Sequence, residues 1–475
     1  MVLLMRRLWI ELAIATVLLL LAVIFVWNYY DIFIFMNWVR TVQELGLFKL
    51  YAMYRYNISY RVVYFPLAPL TFIGSYSLGE TVSKIIVSSK LIITMTPEQI
   101  EALKVTILRI FSKLPLLLSA YLIAYILYKR EGWEVTRWWL YNIPLFVTIA
   151  TYQFDPIMVF FLLLGSYYIA ENKWIRAGIA WGLGAAIKYI PLPLVPIAYL
   201  ASRNRHNFIR FLASLAITVG LIATPFMIVN PQDFLNNILE FHGNRPPQYL
   251  SIFNIPVLLS NRDVNVVDAV TKSWPVLFIL IYALVILLFR PKPGDKESLF
   301  RSLAAVLLVF IIFSKVVNPN YLLWAYPFLV CILVKKQSKL GLRLLVLATI
   351  IATIWPGIYL YVPAVLGKPA YIEEVMQYYN ARILIEKSFQ GLGEHIILKL
   401  LELSGHGFGP VFEFLYMNLN LIGALLIISY ALMLFHILIV ELGNMRSIKD
   451  IVNAIRNTRQ KLLSLIREFQ HTSGK

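Results

Sequence analysis

The chain has 475 residues, of which 60% are hydrophobic and only 14% charged, with a mean hydropathy of +0.72. Soluble domains carry about a quarter charged residues, and apolar stretches of about 18 or more recur here along the whole length, so a soluble globular class is excluded in favour of a polytopic helical membrane protein. The net charge of +18 would suit nucleic acid in a polar chain; at this hydropathy it is the Lys/Arg surplus that orients membrane proteins, and no nucleic-acid partner is expected.

The first apolar segment runs from Leu8 to Tyr30. It lacks a small-residue cleavage site and exceeds a leader's apolar core in length, so it is read as a span. Arg6 and Arg7 before it put the N-terminus in the cytoplasm and Asp31 outside. Residues 32–67 do not read as a second span. Phe33, Met36, Trp38, Val39, Val42 and Leu45 alternate with Arg40, Gln43, Glu44 and Lys49, the pattern of a helix lying at the outer interface. Asp31 is placed either to cap that helix or to act as a base at the membrane-water boundary. The triplet Asn57-Ile58-Ser59 is a glycosylation sequon on the same expected side.

Further apolar segments follow at 106–129, 136–152, 156–171, 177–202, 207–229, 274–290, 299–316, 321–335, 340–362 and 411–440. Segment 106–129 carries Arg109 and Lys113 and ends inside at Lys129-Arg130. The next two form a hairpin whose outer turn is Thr151-Tyr152-Gln153-Phe154-Asp155-Pro156 and whose inner end is Glu171-Asn172-Lys173-Trp174-Ile175-Arg176. Asp155 followed by Pro156 suits a helix start.

Segment 177–202 decides the topology. A single crossing would strand Arg203, Arg205, Arg210, Arg290, Lys292, Lys335, Lys336 and the basic C-terminal tail outside. Two half-helices broken at Lys188-Tyr189-Ile190-Pro191 return all of them to the cytoplasm. Pro191, Pro193 and Pro196 support the break, because each removes a backbone donor. The expectation is an all-α fold with about 12 transmembrane segments, one broken helix pair, interfacial helices on the outer face and both termini inside. Residues 1–443 form the membrane domain. Residues 444–475 form a cytoplasmic basic amphipathic tail, with Ile448, Ile451, Val452, Ile455, Leu462, Leu463 and Ile466 at helical spacing between Arg446, Lys449, Arg456, Arg459, Lys461 and Arg467.

On this topology the outer segments 31–105, 151–156, 230–273 and 363–410 and the turn at 314–320 converge on one face. They carry a carboxylate, several cations near membrane depth, amides and aromatics. Lys188 at the helix break suits a phosphate ligand or an ion pair with a nearby acid. Arg245, with His242 beside it in Phe241-His242-Gly243-Asn244-Arg245, offers another phosphate or sugar contact. The turn Ser314-Lys315-Val316-Val317-Asn318-Pro319-Asn320-Tyr321 through Trp324 adds a lysine, two amides and two aromatics. Cations that neutralise a leaving phosphate, beside a carboxylate that deprotonates a hydroxyl, suit chemistry on an anionic lipid carrying a sugar. No Asp-x-Asp occurs in the outer segments and no His/Cys cluster has metal spacing, so metal-free, cofactor-free chemistry is expected. The single cysteine, Cys331, excludes an internal disulfide framework.

The chain resembles the glycosyltransferase C superfamily, and within it the polyprenyl-phosphate-mannose-dependent α-mannosyltransferases. The resemblance is carried by Asp31 after the first span, by Tyr64-Phe65-Pro66-Leu67 (similar to Tyr-Pro-Pro-Leu), and by Gln153-Phe154-Asp155 (similar to Gly-Gln-x-Asp). It continues through Ile187-Lys188-Tyr189-Ile190-Pro191 and through Ser314-Lys315 to Asn320-Tyr321-Leu322-Leu323-Trp324, similar to Ser-Lys…Pro-Gln-Tyr-x-x-Trp. Three departures stand out: Phe65 replaces a proline, Tyr152 stands where glycine is usual, and Asn320 stands for glutamine. The paired-acid motif that glycolipid-anchor enzymes carry in the first loop is missing.

The resemblance implies inverting transfer of a sugar, expected to be mannose, from a polyprenyl-phosphate donor to a glycolipid or glycan acceptor at the extracytoplasmic face. Asp31 would be the general base. Lys188, Arg245, Lys315 and Arg109 would bind the donor phosphate, with Tyr64, Gln153, Asp155, Tyr189, His242, Asn318, Asn320, Tyr321 and Trp324 lining the substrate site. The Ile/Leu/Val-rich spans and single cysteine suggest a prokaryotic or archaeal plasma membrane. A transporter or flippase for lipids or lipid-linked sugars is the alternative that buried cations and a broken helix also allow.

Overall fold

The computed structural model describes residues 2–25, 29–56, 62–89, 95–365 and 410–445, with isolated positions at 450, 453, 456 and 460. The sequon, nearly all of the outer segment 363–410 and nearly all of the basic tail lie outside the described residues. Within them the chain is helical apart from short turns and one two-residue parallel strand pair.

Helix α1 (Val2–Phe25) is followed by α2 (Tyr29–Leu45), a 3-10 stretch (Leu47–Tyr56), α3 (Leu67–Ser88) and α4 (Pro97–Glu131). The residues after Asp31 do form a helix, but its buried face is Ile32, Phe35, Trp38 and Val39 of α2, whereas Met36 of the expected apolar set is exposed; Arg40, Gln43 and Glu44 face outward. Helix α4 starts in a capping box, with Thr96 and Gln99 each accepting from the other's backbone N–H at 3.3 and 2.9 Å. The sequence reading passed over α3, because Gly74, Gly79, Glu80 and Lys84 dilute its apolar run. It lies against α4, where Gly79 leaves room for Phe111; a Cβ there would stand 2.7 Å from that side chain. Segment 136–152 is two short helices, α5 (Trp133–Leu140) and α6 (Ile143–Ala150). Asn142 ends the first by capping the second, accepting from the Leu145 N–H at 2.8 Å, and Pro144 follows at the helix start.

Helices α7 (Asp155–Ala170) and α8 (Trp174–Ile187) form the hairpin expected there. Helix α8 stops at Lys188, whose backbone is extended (φ −143°, ψ 138°), and a 3-10 turn (Leu192–Leu194) leads into α9 (Val195–Ala201). The proposed helix break is therefore real. Helix α10 (Arg205–Val229) approaches α8 closely through Gly178 and Gly182, where Cβ atoms would meet Ser214 and Thr218 at 2.0 and 2.7 Å.

The next stretch is irregular. Helix α11 (Pro231–Leu235), a π-turn (Asn236–Glu240) and α12 (Phe241–Asn244) lead to β1 (Gln248–Tyr249), then α13 (Asn254–Leu259) and the long α14 (Val264–Leu288). Helix α15 (Lys296–Phe313), β2 (Val316–Val317), a 3-10 turn (Pro319–Tyr321), α16 (Leu322–Lys335), α17 (Lys339–Val365), α18 (Leu419–His436) and a π-helical end (Ile437–Leu442) complete the order. Strand β1 pairs with β2 in parallel, Gln248 opposite Val316.

Helices α15 and α16 are buried almost throughout and form the centre, whereas α10 and α14 expose Leu221, Ile228, Val276, Ile279 and Leu280, surfaces suited to lipid. Among the described residues five helices are long and apolar enough to cross a membrane: α4, α10, α14, Lys339–Tyr359 of α17, and Leu419–Leu442. The other apolar helices, such as Trp9–Phe25 and Asp155–Ala170, are shorter.

Candidate active site

The site is built around the turn between α6 and α7. Tyr152 there takes a left-handed backbone (φ 58°), which few non-glycine residues adopt without support. Glycine would be at ease at this position. Here the tyrosine ring is held instead by Phe35, Phe72 and Phe154 at centroid distances of 5.1–5.6 Å. The next side chain, Gln153, donates from Nε2 to Oδ2 of Asp31 at 2.7 Å. Two residues on, Asp155 is fully buried in the first turn of α7. Its carboxylate accepts from Lys188 Nζ at 2.9 Å on both oxygens, from Asn320 Nδ2 at 2.5 Å and from Trp324 Nε1 at 2.6 Å.

Those donors join α7, the break after α8, and the start of α16. A carboxylate in a dry interior is tolerable only when so fully engaged. Lys188, 11% exposed, also lies over the rings of Tyr64, Tyr321 and Trp324 at 5.7, 5.5 and 6.0 Å. Tyr321 and Trp324 stack on one another at 4.0 Å.

Asp31 has different surroundings. It sits in the first turn of α2, at the helix's third residue, and the residue is partly exposed. Desolvation pushes its carboxyl up to about 7 against the opposing pull of Lys188, the Gln153 hydrogen bond and Arg245. Tyr64 lies in the same field, its hydroxyl held well above the usual phenol range by burial and by Asp31 and Asp155.

A second group of residues reaches the site from the irregular segment. Leu250 and Gln248 donate backbone N–H groups to the carbonyls of Val317 at 3.1 Å and Lys315 at 2.8 Å, tying the 241–250 loop to the turn before α16. Arg245 donates from Nη2 to Gln248 Oε1 at 2.6 Å and covers Phe241 at 5.2 Å; its Nε is buried with no hydrogen-bond partner among the described residues. Lys315 donates to the Gly243 carbonyl and lies over Trp274 at 5.4 Å. His242 contacts the Val63 carbonyl through Nε2 at 3.1 Å. Because a carbonyl only accepts, the ring donates there and Nδ1 remains an acceptor. Burial and the nearby cations lower this imidazole to about 4, so it is neutral at pH 7. The Tyr189 ring meets it edge-on at 5.5 Å.

The structure thus gathers Asp31, Tyr64, Gln153, Asp155, Lys188, Tyr189, His242, Arg245, Lys315, Asn320, Tyr321 and Trp324 into one interconnected region. Asn318 lies in the same turn, its Oδ1 buried and without a hydrogen-bond partner among the described residues. Arg109 is engaged elsewhere. It is fully buried on α4 and donates to the Ile24 carbonyl at 3.2 Å, while Lys113 one turn on donates to Ala22 and Val23 at 3.1 and 3.4 Å. Both satisfy carbonyls that the end of α1 leaves open. Sequence reasoning missed Gln248 and Trp274, which hold Arg245 and Lys315, and Phe154, which packs between Trp38 and Tyr64. Only the spacing of Phe154 within the Gln-x-Asp turn hinted at its role.

Fold and site together define a helical membrane protein with an acid, cations and aromatics gathered among loops and helix ends. Residues 98–319 match the model of Glycosyltransferase family 87. The chain is also 23% identical over 213 residues to GPI mannosyltransferase 1 of Candida albicans, a match covering 40% of this chain and 52% of that protein. The chain therefore spans about half the length of the curated relative it matches. Both similarities support a GT-C, mannosyltransferase-like superfamily.

Proposed function

We propose that the chain is a membrane glycosyltransferase moving a sugar, mannose by analogy with its similar protein, from a polyprenyl-phosphate donor to a glycolipid or glycan acceptor. On this reading about 12 membrane passes set both termini in the cytoplasm and the site outside. The carrying observation is the contrast between two acids: Asp155 is closed in by Lys188, Asn320 and Trp324, whereas Asp31 is partly exposed beside Gln153 in the field of Lys188 and Arg245.

The acceptor hydroxyl gives its proton to Asp31 while its oxygen attacks the anomeric carbon. The bond from that carbon to the phosphate oxygen breaks, and polyprenyl phosphate leaves with the electron pair. A single displacement inverts the anomeric centre. Arg245, with Nε–H still to be used, and Lys315 neutralise the departing phosphate. Asn318 and the neutral His242 offer acceptors to sugar hydroxyls. The test is transfer of labelled mannose from polyprenyl-phosphate-mannose into a lipid and glycan extract in proteoliposomes. Label should move with wild type and about a hundredfold or more slowly with Asp31→Asn. Equal transfer by both would remove Asp31 from the mechanism.

A further inference from the structure

We infer that the turn Gln153-Phe154-Asp155 is a positioning device that sets the distance between the base and a fixed positive charge, and that Lys188 acts through Asp31 instead of binding the donor phosphate. This inference rests on the proposed transfer reaction and assigns three residues within it.

The turn holds both partners. Gln153 grips the Asp31 carboxylate at 2.7 Å, and Asp155 grips the Lys188 ammonium at 2.9 Å through both oxygens. Between them Phe154 is buried, wedged against Phe35, Trp38, Tyr64 and Tyr152 with centroids 5.2–6.3 Å away. Phe35 and Trp38 lie four and seven residues after Asp31 on α2, so the same helix face that carries the base packs on the residue between its two anchors. Asn320 and Trp324, from the turn before α16 and its first residues, also hold Asp155. A three-residue segment held at both ends has little freedom to change that separation.

Lys188 is unsuited to a leaving phosphate. Its charge is already matched by a fully buried carboxylate, and Tyr64, Tyr321 and Trp324 face it. Taking it from Asp155 would leave a buried anion with its charge unmatched, which is costly. Arg245 and Lys315 are bound instead to a neutral amide and a carbonyl, so their charges remain available. The charged groups acting on Asp31 are Lys188 and Arg245; its neighbour Tyr64 feels Asp31, Asp155, Tyr321 and Arg245. The pair therefore tunes the base through its orientation, with the cation nearest the turn.

The test compares wild type, Lys188→Met, Asp155→Asn and the double variant in proteoliposomes, measuring donor KM and the acid limb of kcat/KM against pH. Lys188→Met should move the limb upward by about one pH unit, the order expected for loss of one nearby cation. Asp155→Asn, which leaves the cation unmatched, should move it downward, and the double variant should return it toward wild type. Donor KM for Lys188→Met should stay within about twofold of wild type. A donor KM raised tenfold with an unmoved limb would make Lys188 a phosphate ligand and overturn the inference while keeping the transfer reaction. Thermal unfolding of the same four proteins separates collapse from tuning: a double variant as stable as either single one reports the pair as a unit, and additive losses overturn it. A wild type that transfers no sugar from any polyprenyl-phosphate donor overturns the functional reading and this inference together.

Discussion

Two groups of wholly or partly buried cations in this protein look alike in sequence and differ in what they touch. Arg109 and Lys113 on α4 donate to the backbone carbonyls of Ala22, Val23 and Ile24 at the end of α1. Lys188 and Arg245 act on a partly exposed acid, and they and Lys315 are held by a carboxylate, an amide and a loop carbonyl. The first group completes a helix terminus, where each bond satisfies an acceptor that the helix cannot satisfy itself. The second is spread over three loops and helix ends, where charge can be presented to a ligand. A cation at membrane depth does not by itself mark a site; its bonded partners decide whether the charge is used up by the fold.

The sharpest way to break this comparison is at the acid. Asp31→Asn should lower turnover by about 10²–10⁴-fold, the usual contribution of a general base, as measured by labelled-sugar transfer at saturating donor. Wild-type activity should also fall as pH drops through about 7, since only the ionised carboxylate accepts the proton, and this limb should be absent from the residual activity of Asp31→Asn. A limb near 4 in the wild type would mean that Asp31 is solvated like an ordinary carboxylate.

Next in size is the phosphate side of the second group. Arg245→Ala should raise donor KM by about ten- to a hundredfold, the loss expected for one charged hydrogen bond of about 1.5–3 kcal/mol. Kinetics with a donor concentration series checks this, and an unchanged KM would remove Arg245 from phosphate binding. In the first group, Lys113→Met should lower the unfolding temperature by a few degrees and leave donor KM within about twofold, because it opens carbonyls of α1 without touching the site. A KM effect there as large as that of Arg245→Ala would erase the distinction between the groups.

The smallest effect expected is on stability at the acid itself. Folded Asp31 keeps its proton up to about pH 7, whereas an unfolded carboxyl releases it near 3.8. The folded state thus binds the extra proton between these values, and the stability that Asp31 contributes is lost as pH rises through that window. Asp31→Asn should therefore unfold at a slightly higher temperature than wild type at pH 8, with the difference vanishing near pH 4. Thermal scans at the two pH values read this directly, and a variant less stable at pH 8 would contradict the desolvation of Asp31.

Much of the architecture was legible from apolar runs, because a chain that must bury backbone polar groups in lipid has few options besides helices. The break at Lys188–Pro191 was legible for a similarly local reason: prolines remove backbone donors. Helix α3 escaped because its glycines and charges weaken the average hydropathy while suiting close contact with α4, a property of its neighbour rather than of its own sequence. The split of residues 136–152 into α5 and α6 turned on one capping amide, Asn142, inside an otherwise apolar run.

By itself the sequence determined the membrane class, the helix break and the residue types that make up the site, since composition, proline and charge act locally. Only the tertiary structure decided their roles. It matched Lys188 to Asp155, set Gln153 on Asp31, tied Arg245 and Lys315 together through the β1–β2 pairing, and turned Arg109 and Lys113 toward α1. The physical reason is that the fate of a buried charge depends on the partner within about 3 Å, and apart from Gln248 beside Arg245 those partners lie tens to more than a hundred residues away in the chain.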